Sequence, residues 1–297
     1  MPDDARDNRQ PTLQTILLTA VAMLAFAANS LLCRLALQHK GIDAASFGSV
    51  RLVAGALMLG LIVRFRAQPP ASSARVDWLA AVMLFGYVAF FSFAYLSLPA
   101  GTGALILFGA VQLTMFGVGL RSGGERFGAL AWFGFVLAAG GLVYLVSPGI
   151  AAPPLLGAVL MAIAGVAWGV YSLRGRGVAD PLAATARNFT RAVPLALALS
   201  LVFAASARVD ATGLVLAVAS GALTSGLGYA VWYAALSRLS AMRAATVQLS
   251  VPLLAAFGGV LFLSEAITPR LAAASVAILG GIALVLMGKA RAATRRA

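Results

Sequence analysis

From residue 13 to residue 288 the chain is almost continuously apolar, and a run of that length cannot be folded away inside a water-soluble domain. Only 10% of the residues are charged, against about 25% in an ordinary soluble domain. A spanning helix needs roughly 20 apolar residues. Such runs can be laid out at 13–36, 44–65, 78–97, 99–119, 127–146, 154–173, 185–205, 212–236, 241–262 and 269–288. They are rich in Ala and Leu and lack the period-2 alternation of barrel strands, so the sequence predicts an all-α membrane protein with ten transmembrane helices.

The only two glutamates, Glu125 and Glu265, stand 140 residues apart. The same offset superposes Arg34 on Arg174, Arg51 on Arg191, Gly86 on Gly226 and Gly140-Gly141 on Gly280-Gly281. Alanine and leucine coincide often by chance in so biased a chain, but rare charges recurring in register do not. The sequence therefore reads as a duplication. A first five-helix repeat covers 13–148 and a second covers 153–288, between a cytoplasmic tail at 1–12 and a basic cytoplasmic tail at 289–297. Pro148, Gly149, Ala151, Ala152, Pro153 and Pro154 mark the join, which is too short to let the halves act as separate domains. Five is odd, so the second repeat enters from the opposite side. Inverted repeats of this kind place a substrate site near the bilayer midplane, where the halves meet.

The formal net charge of +13 is a topology signal rather than a nucleic-acid signature. With a cytoplasmic N-terminus, the inner segments hold Arg6, Arg9, Arg64, Arg66, Arg75, Arg121, Arg126, Arg174, Arg176, Arg187, Arg238, Arg243, Lys289, Arg291, Arg295 and Arg296. The outer segments keep only Arg34, Lys40, Arg208 and Arg270. Both termini are expected in the cytoplasm of a bacterium, with the spans in its inner membrane. Ile16 to Ala28, ending near Ala25-Phe26-Ala27, resembles a cleavable signal, but its removal would delete the first span. Cys33 is the only cysteine, which excludes an intrachain disulfide and reads as a small apolar filler.

All nine acidic residues fall in tails, linkers or helix ends, and the single histidine, His39, lies in an external linker. A metal site, a catalytic triad or a paired-carboxylate site has no parts here, so no enzyme and no cofactor are expected. There is no phosphate-cradling loop either, which excludes direct use of ATP. Proton-coupled carriers relay protons through buried Asp, Glu or His. Their absence from the spans predicts facilitated diffusion or exchange.

What the spans do contain is aromatic and neutral polar. Tyr87, Phe91 and Tyr95 recur at i, i+4 and i+8 in span three, and span eight contributes Tyr229, Trp232 and Tyr233. Spans one and six add Asn29, Ser30, Trp168 and Tyr171, and spans four and nine add Gln112, Thr114, Thr246, Gln248 and Ser250. Amides are costly in hydrocarbon without partners, so Asn29, Gln112 and Gln248 are expected to face the protein interior or water. The candidate substrate contacts are Asn29, Tyr87, Phe91, Tyr95, Gln112, Trp168, Tyr171, Tyr229, Trp232 and Gln248; core packing is the competing reading for each aromatic. Under inversion Arg34 and Arg51 approach the outer face with Glu265, while Arg174 and Arg191 approach the inner face with Glu125. These clusters read either as alternating gates or as snorkelling arginines and helix-end carboxylates. Pro252 is a candidate hinge in span nine. Gly134, Ala138 and Gly141, with Ala277, Gly280 and Gly281, permit close helix approach within one chain or, equally, in a homodimer.

Ten spans in two inverted halves, with Ala167-Trp168-Gly169 opening the second half, Arg51 and Arg191 early in the second span of each, and Ser264-Glu265 before the last, resemble the EamA branch of the drug/metabolite transporter superfamily. The likeness covers 13–288 and is similar in its details to YddG-type bacterial exporters of aromatic amino acids. The Trp-Gly pair expected in the first span stands here as Phe26-Ala27. The resemblance implies alternating access through a central cavity. The expected function is an inner-membrane carrier exporting or exchanging small amphipathic metabolites, amino acids including aromatic ones among them. The alternative is a non-transporting membrane scaffold or lipid-handling protein. The expected partners are the small-molecule substrate and the lipid bilayer, with no nucleic acid.

Overall fold

A computed structural model describes residues 12–66, 77–121, 128–176, 178–239 and 241–294. Within them the helices are α1 Leu13–Gln38, α2 Ala44–Phe65, α3 Trp78–Ala94, α4 Ala100–Arg121, α5 Ala129–Val146 and α6 Leu155–Arg174. They continue as α7 Pro181–Val202, α8 Ala211–Leu236, α9 Ala241–Gln248, α10 Ser250–Leu263 and α11 Pro269–Thr294. Inside α8 the stretch Ser220–Leu227 is wound as a π-helix.

Aspartates start several of these helices. Asp43, Asp77, Asp180 and Asp210 each accept hydrogen bonds from backbone N–H groups of the first turn, satisfying donors that the helix itself cannot. Partial burial disfavours the Asp43 carboxylate, yet the donors at Ser46, Arg208 and Ala45 outweigh it and hold the group below the usual carboxylate range. These four carboxylates thus sit at helix ends for a local reason.

Among the described residues, eight segments are long and apolar enough to cross a bilayer: α1, α2, α4, α5, α6, α8, the stretch Arg243–Leu263 across α9 and α10, and Pro269–Gly288 of α11. The apolar α3 is shorter, ending at Ala94 rather than at residue 97 as the hydropathy suggested. Helix α7 begins at Pro181, earlier than the apolar run implied, and carries Arg187, Asn188 and Arg191 through its first half. Leu201, Val202, Phe133, Val136, Phe262 and Val276 are among the apolar side chains left exposed on the outside of the bundle, the surface that lipid would cover.

Helix α3 packs on α6 and α8 on α1; α4 packs on α6 and α10 on α1; α2 packs on α8 and α7 on α3. The remaining principal pairs are α2 with α7, α4 with α10, and α5 with α11. The α5–α11 contact is close because it is glycine to backbone. A Cβ on Gly134 would collide with Gly281, and one on Gly141 would come within 2.9 Å of the Ala277 Cβ. Gly280, expected in this seam, instead faces open space, because a quarter-turn of helix separates it from Gly281.

The loops are knitted at both ends. Asp43 N–H donates to the Arg208 carbonyl at 2.9 Å and Asp210 N–H to the Gly41 carbonyl at 2.7 Å, tying the α1–α2 loop to the α7–α8 loop. At the opposite end Arg66, after α2, pairs with Asp180, before α7.

Candidate functional site

A cavity of about 610 Å³ is lined from α1, α2, α3, α4, α6, α7, α8, α9 and α11. One end reaches the exposed Arg174 and Arg176, with Asp77, Val178 and Pro181. The other ends blindly on buried groups: Asn29, Arg51, Phe91, Thr224 and Ser225.

At the blind end the π-helical stretch of α8 turns its small polar residues toward α1 and α2. Ser220 Oγ donates to Asn29 Oδ1 at 2.7 Å, and Ser225 Oγ accepts from Arg51 Nε at 3.2 Å. Arg51 Nη2 donates to the Tyr87 hydroxyl at 3.1 Å, and the guanidinium carbon lies 5.2 Å and 5.0 Å from the ring centres of Tyr87 and Phe91. The widened helix matters because Gly221 rests on the Arg51 backbone carbonyl, where any Cβ would clash. Arg51 is 1% exposed, and its Nη1 has no hydrogen-bond partner among the described residues.

The middle of the cavity is aromatic. The Trp168 ring centre lies 4.8 Å from that of Tyr87, 5.2 Å from Tyr171 and 5.6 Å, stacked, from Tyr229. Phe26 closes against Tyr229 and Trp232 at 5.8 and 5.9 Å. Gln112 and Gln248 supply amides from α4 and α9. At the open end Arg174 Nε donates to Asp77 Oδ2 at 2.7 Å, bridging α6 to the start of α3. Desolvation works against the Asp77 carboxylate, but Arg174 and the Ala80 N–H hold it below its ordinary range.

Beyond the blind end a second polar cluster ties helices together. Glu265 Oε1 accepts from Arg34 Nε at 3.3 Å and its Oε2 from the Ala100 N–H at 2.8 Å. Arg34 Nη1 donates to the Tyr95 carbonyl at 3.0 Å. Burial pushes the Glu265 carboxyl above the usual range, against the opposing pull of Ala100 N–H and Arg34.

Comparison with known proteins agrees with this architecture. The chain is 55% identical over 285 residues to an uncharacterized protein of Pseudomonas aeruginosa, covering 96% of this chain and 99% of that one. The profile of the EamA-like transporter family matches residues 155–287, from α6 into α11. That match takes in the second half of the chain. A solved crystal structure, 21% identical, superposes with a TM-score of 0.64 over 95% of this chain and all of that one, which shows the shared fold. The EamA-like match and the apolar helices together support a multi-pass membrane protein, built of helices and carrying a cavity between them.

The EamA-like chain brings most of the sequence-level candidates together. Asn29, Tyr87, Phe91, Gln112, Trp168, Tyr171, Tyr229, Trp232 and Gln248 all line the cavity. Tyr95 does not. Eight residues along a helix drift about 80° around its axis, so the i, i+8 partner of Tyr87 has left the cavity face. Its fully buried hydroxyl donates to the Ala100 carbonyl. Thr114 spends its hydroxyl on its own helix's Ala110 carbonyl, and Ser250, at the start of α10, spends its on the Val247 carbonyl of α9.

Among the candidate gates, Arg34 pairs with Glu265, whereas Arg51 turns inward to the cavity and, among the described residues, meets no carboxylate. Glu265 serves the start of α4 and not that of α11. Arg174 pairs with Asp77, Arg191 lines the cavity, and Glu125 lies outside the described residues. The hinge candidate Pro252 is buried in the first turn of α10, and the helix is interrupted at Leu249, just before it. A proline there cannot donate back to Gln248, which accounts for the break. Sequence reading passed over Ser220, Thr224 and Ser225, although the polar run Ser220-Gly221…Thr224-Ser225-Gly226 inside an apolar span was visible.

Proposed function

We propose that this EamA-like protein is an inner-membrane carrier that exports or exchanges small amphipathic metabolites by alternating access, with amino acids, aromatic ones included, among the solutes to be tried. The observation that carries the reading is the cavity itself: polar and aromatic, lined by both halves, open at the Arg174 end and blind at the Arg51 end. A scaffold or lipid-handling protein needs no polar chamber at its centre.

The helix pairs support two inverted five-helix repeats. Shifting each pair by the 140-residue offset turns α3–α6 into α8–α1, α4–α6 into the α10–α1 contact, α2–α8 into α7–α3, and leaves α2–α7, α4–α10 and α5–α11 unchanged. In this reading α7 and α3 complete ten spans, and both termini lie in the cytoplasm, the side that collects the arginines. The open end is then cytoplasmic, and the conformation faces inward. Arg51 and Arg191, equivalent by the offset, are correspondingly unlike: the first is sealed at the blind end and the second lines the open chamber partly exposed. Their environments exchange when the carrier turns outward.

Purified protein in liposomes, given a panel of labelled aromatic and aliphatic metabolites, tests the reading. Saturable flux of even one solute above that of protein-free liposomes supports the carrier. Absence of flux for the whole panel, with the protein folded, favours the scaffold.

A further inference from the structure

The cavity is strongly unbalanced in charge. Arg51, Arg174, Arg176, Arg187 and Arg191 line it, and the only acidic lining residue among those described, Asp77, is engaged by Arg174. The imbalance is sharpest at the blind end. A guanidinium buried in a membrane protein without a carboxylate is expensive, and the side chains around Arg51 compensate it only with neutral oxygens and ring faces. Nη1, pointing to no partner, is the vacant donor.

Resting on the carrier reading, we infer that the transported solute is an organic acid with an aromatic or apolar body, whose carboxylate is received by Arg51 while its body lies against Trp168, Tyr87 and Tyr229. The uncompensated guanidinium balances one negative charge, which fits a carboxylate better than a dianionic phosphate. Two of its nitrogens are already committed to Ser225 and Tyr87, so the carboxylate takes Nη1 and competes with the Tyr87 hydroxyl for Nη2. An α-ammonium group beside that carboxylate would need an anionic or free acceptor. The nearby Asn29 Oδ1 already accepts from Ser220, and no carboxylate of the described residues lines this end, so a simple acid is preferred to the corresponding amino acid.

The test uses full-length protein in liposomes and four probes of one size class: 3-phenylpropionate, 3-phenylpropionamide, 2-phenylethylamine and L-phenylalanine. The wild type should carry 3-phenylpropionate fastest. Arg51→Gln should lower flux of the acid per folded molecule by about tenfold or more, the scale of a lost charge-assisted contact, and lower that of the amide much less. Arg51→Lys should fall between the two. Amide, amine or amino acid carried as fast as the acid by the wild type overturns the inference while leaving a carrier, and that arm needs no variant to fold. An unchanged acid-to-amide ratio in Arg51→Gln, with only the yield reduced, also overturns it, making Arg51 a tie between α2 and α8. Flux of none of the four defeats the inference, whereas the carrier reading falls only if the wider metabolite panel also fails.

Discussion

Glu265 joins three parts of the chain through one carboxylate: the end of α1 through Arg34, the start of α4 through Ala100 N–H, and its own loop before α11. If these contacts seal the outer side, Glu265→Gln should increase labelling of cysteines placed near Tyr95 and Leu96 in a Cys33→Ala background. A partly exposed pair contributes about 0 to 1 kcal/mol, so the expected change is a few-fold shift in population, not a locked state. Because burial raises the Glu265 carboxyl above its usual range, the wild type should lose the contact as pH falls through that raised value. Acidification should then bring its labelling toward that of Glu265→Gln, and labelling of the variant should be indifferent to pH. Labelling equal in both proteins at every pH would leave Glu265 a helix-end charge. Gln248 offers the corresponding test inside the chamber. Gln248→Ala should reduce flux per folded molecule several-fold, as loss of one net hydrogen bond of about 0.5 to 1.5 kcal/mol implies; flux falling only in step with folded yield would take Gln248 out of the site.

At the scale of elements, the α5–α11 seam and the π-helical stretch of α8 divide the work of stability and site building. Gly141→Leu drives a branched side chain into Ala277 and Ile278, so the folded fraction should drop, by about 1–3 kcal/mol or more, with no selective effect on which solute is carried. Thermal melting in detergent beside the flux panel checks this, and a changed solute preference at full stability would contradict it. The helices themselves were legible in the sequence because an apolar run integrates over many residues and tolerates errors of a few at its ends. Single side-chain directions were not. Tyr95 left the cavity through helical drift, Arg51 turned inward where an arginine near a span end was expected to reach for water, and the π-helix has no hydropathy signature. Helix α7 shows the same limit from the other side. The charges that lower its hydropathy, Arg187 and Arg191, are cavity-lining residues, so the site itself weakened the signal of its own span.

For the whole molecule, the arrangement of the basic residues predicts that a reporter fused after Ala297 is cytoplasmic; activity of a periplasm-specific reporter there would overturn the proposed orientation. The chamber holds no unpaired carboxylate among its described lining residues, so flux down a maintained solute gradient should persist when an uncoupler collapses the proton gradient. The central claim, that one chamber opens alternately to the two sides, makes a kinetic demand that neither a pore nor a scaffold meets. Liposomes containing the protein should take up labelled solute faster when preloaded with the same unlabelled solute than when empty, because the loaded carrier returns more readily than the empty one. Acceleration by internal solute is the predicted result, and uptake slowed or unaffected by it would contradict alternating access.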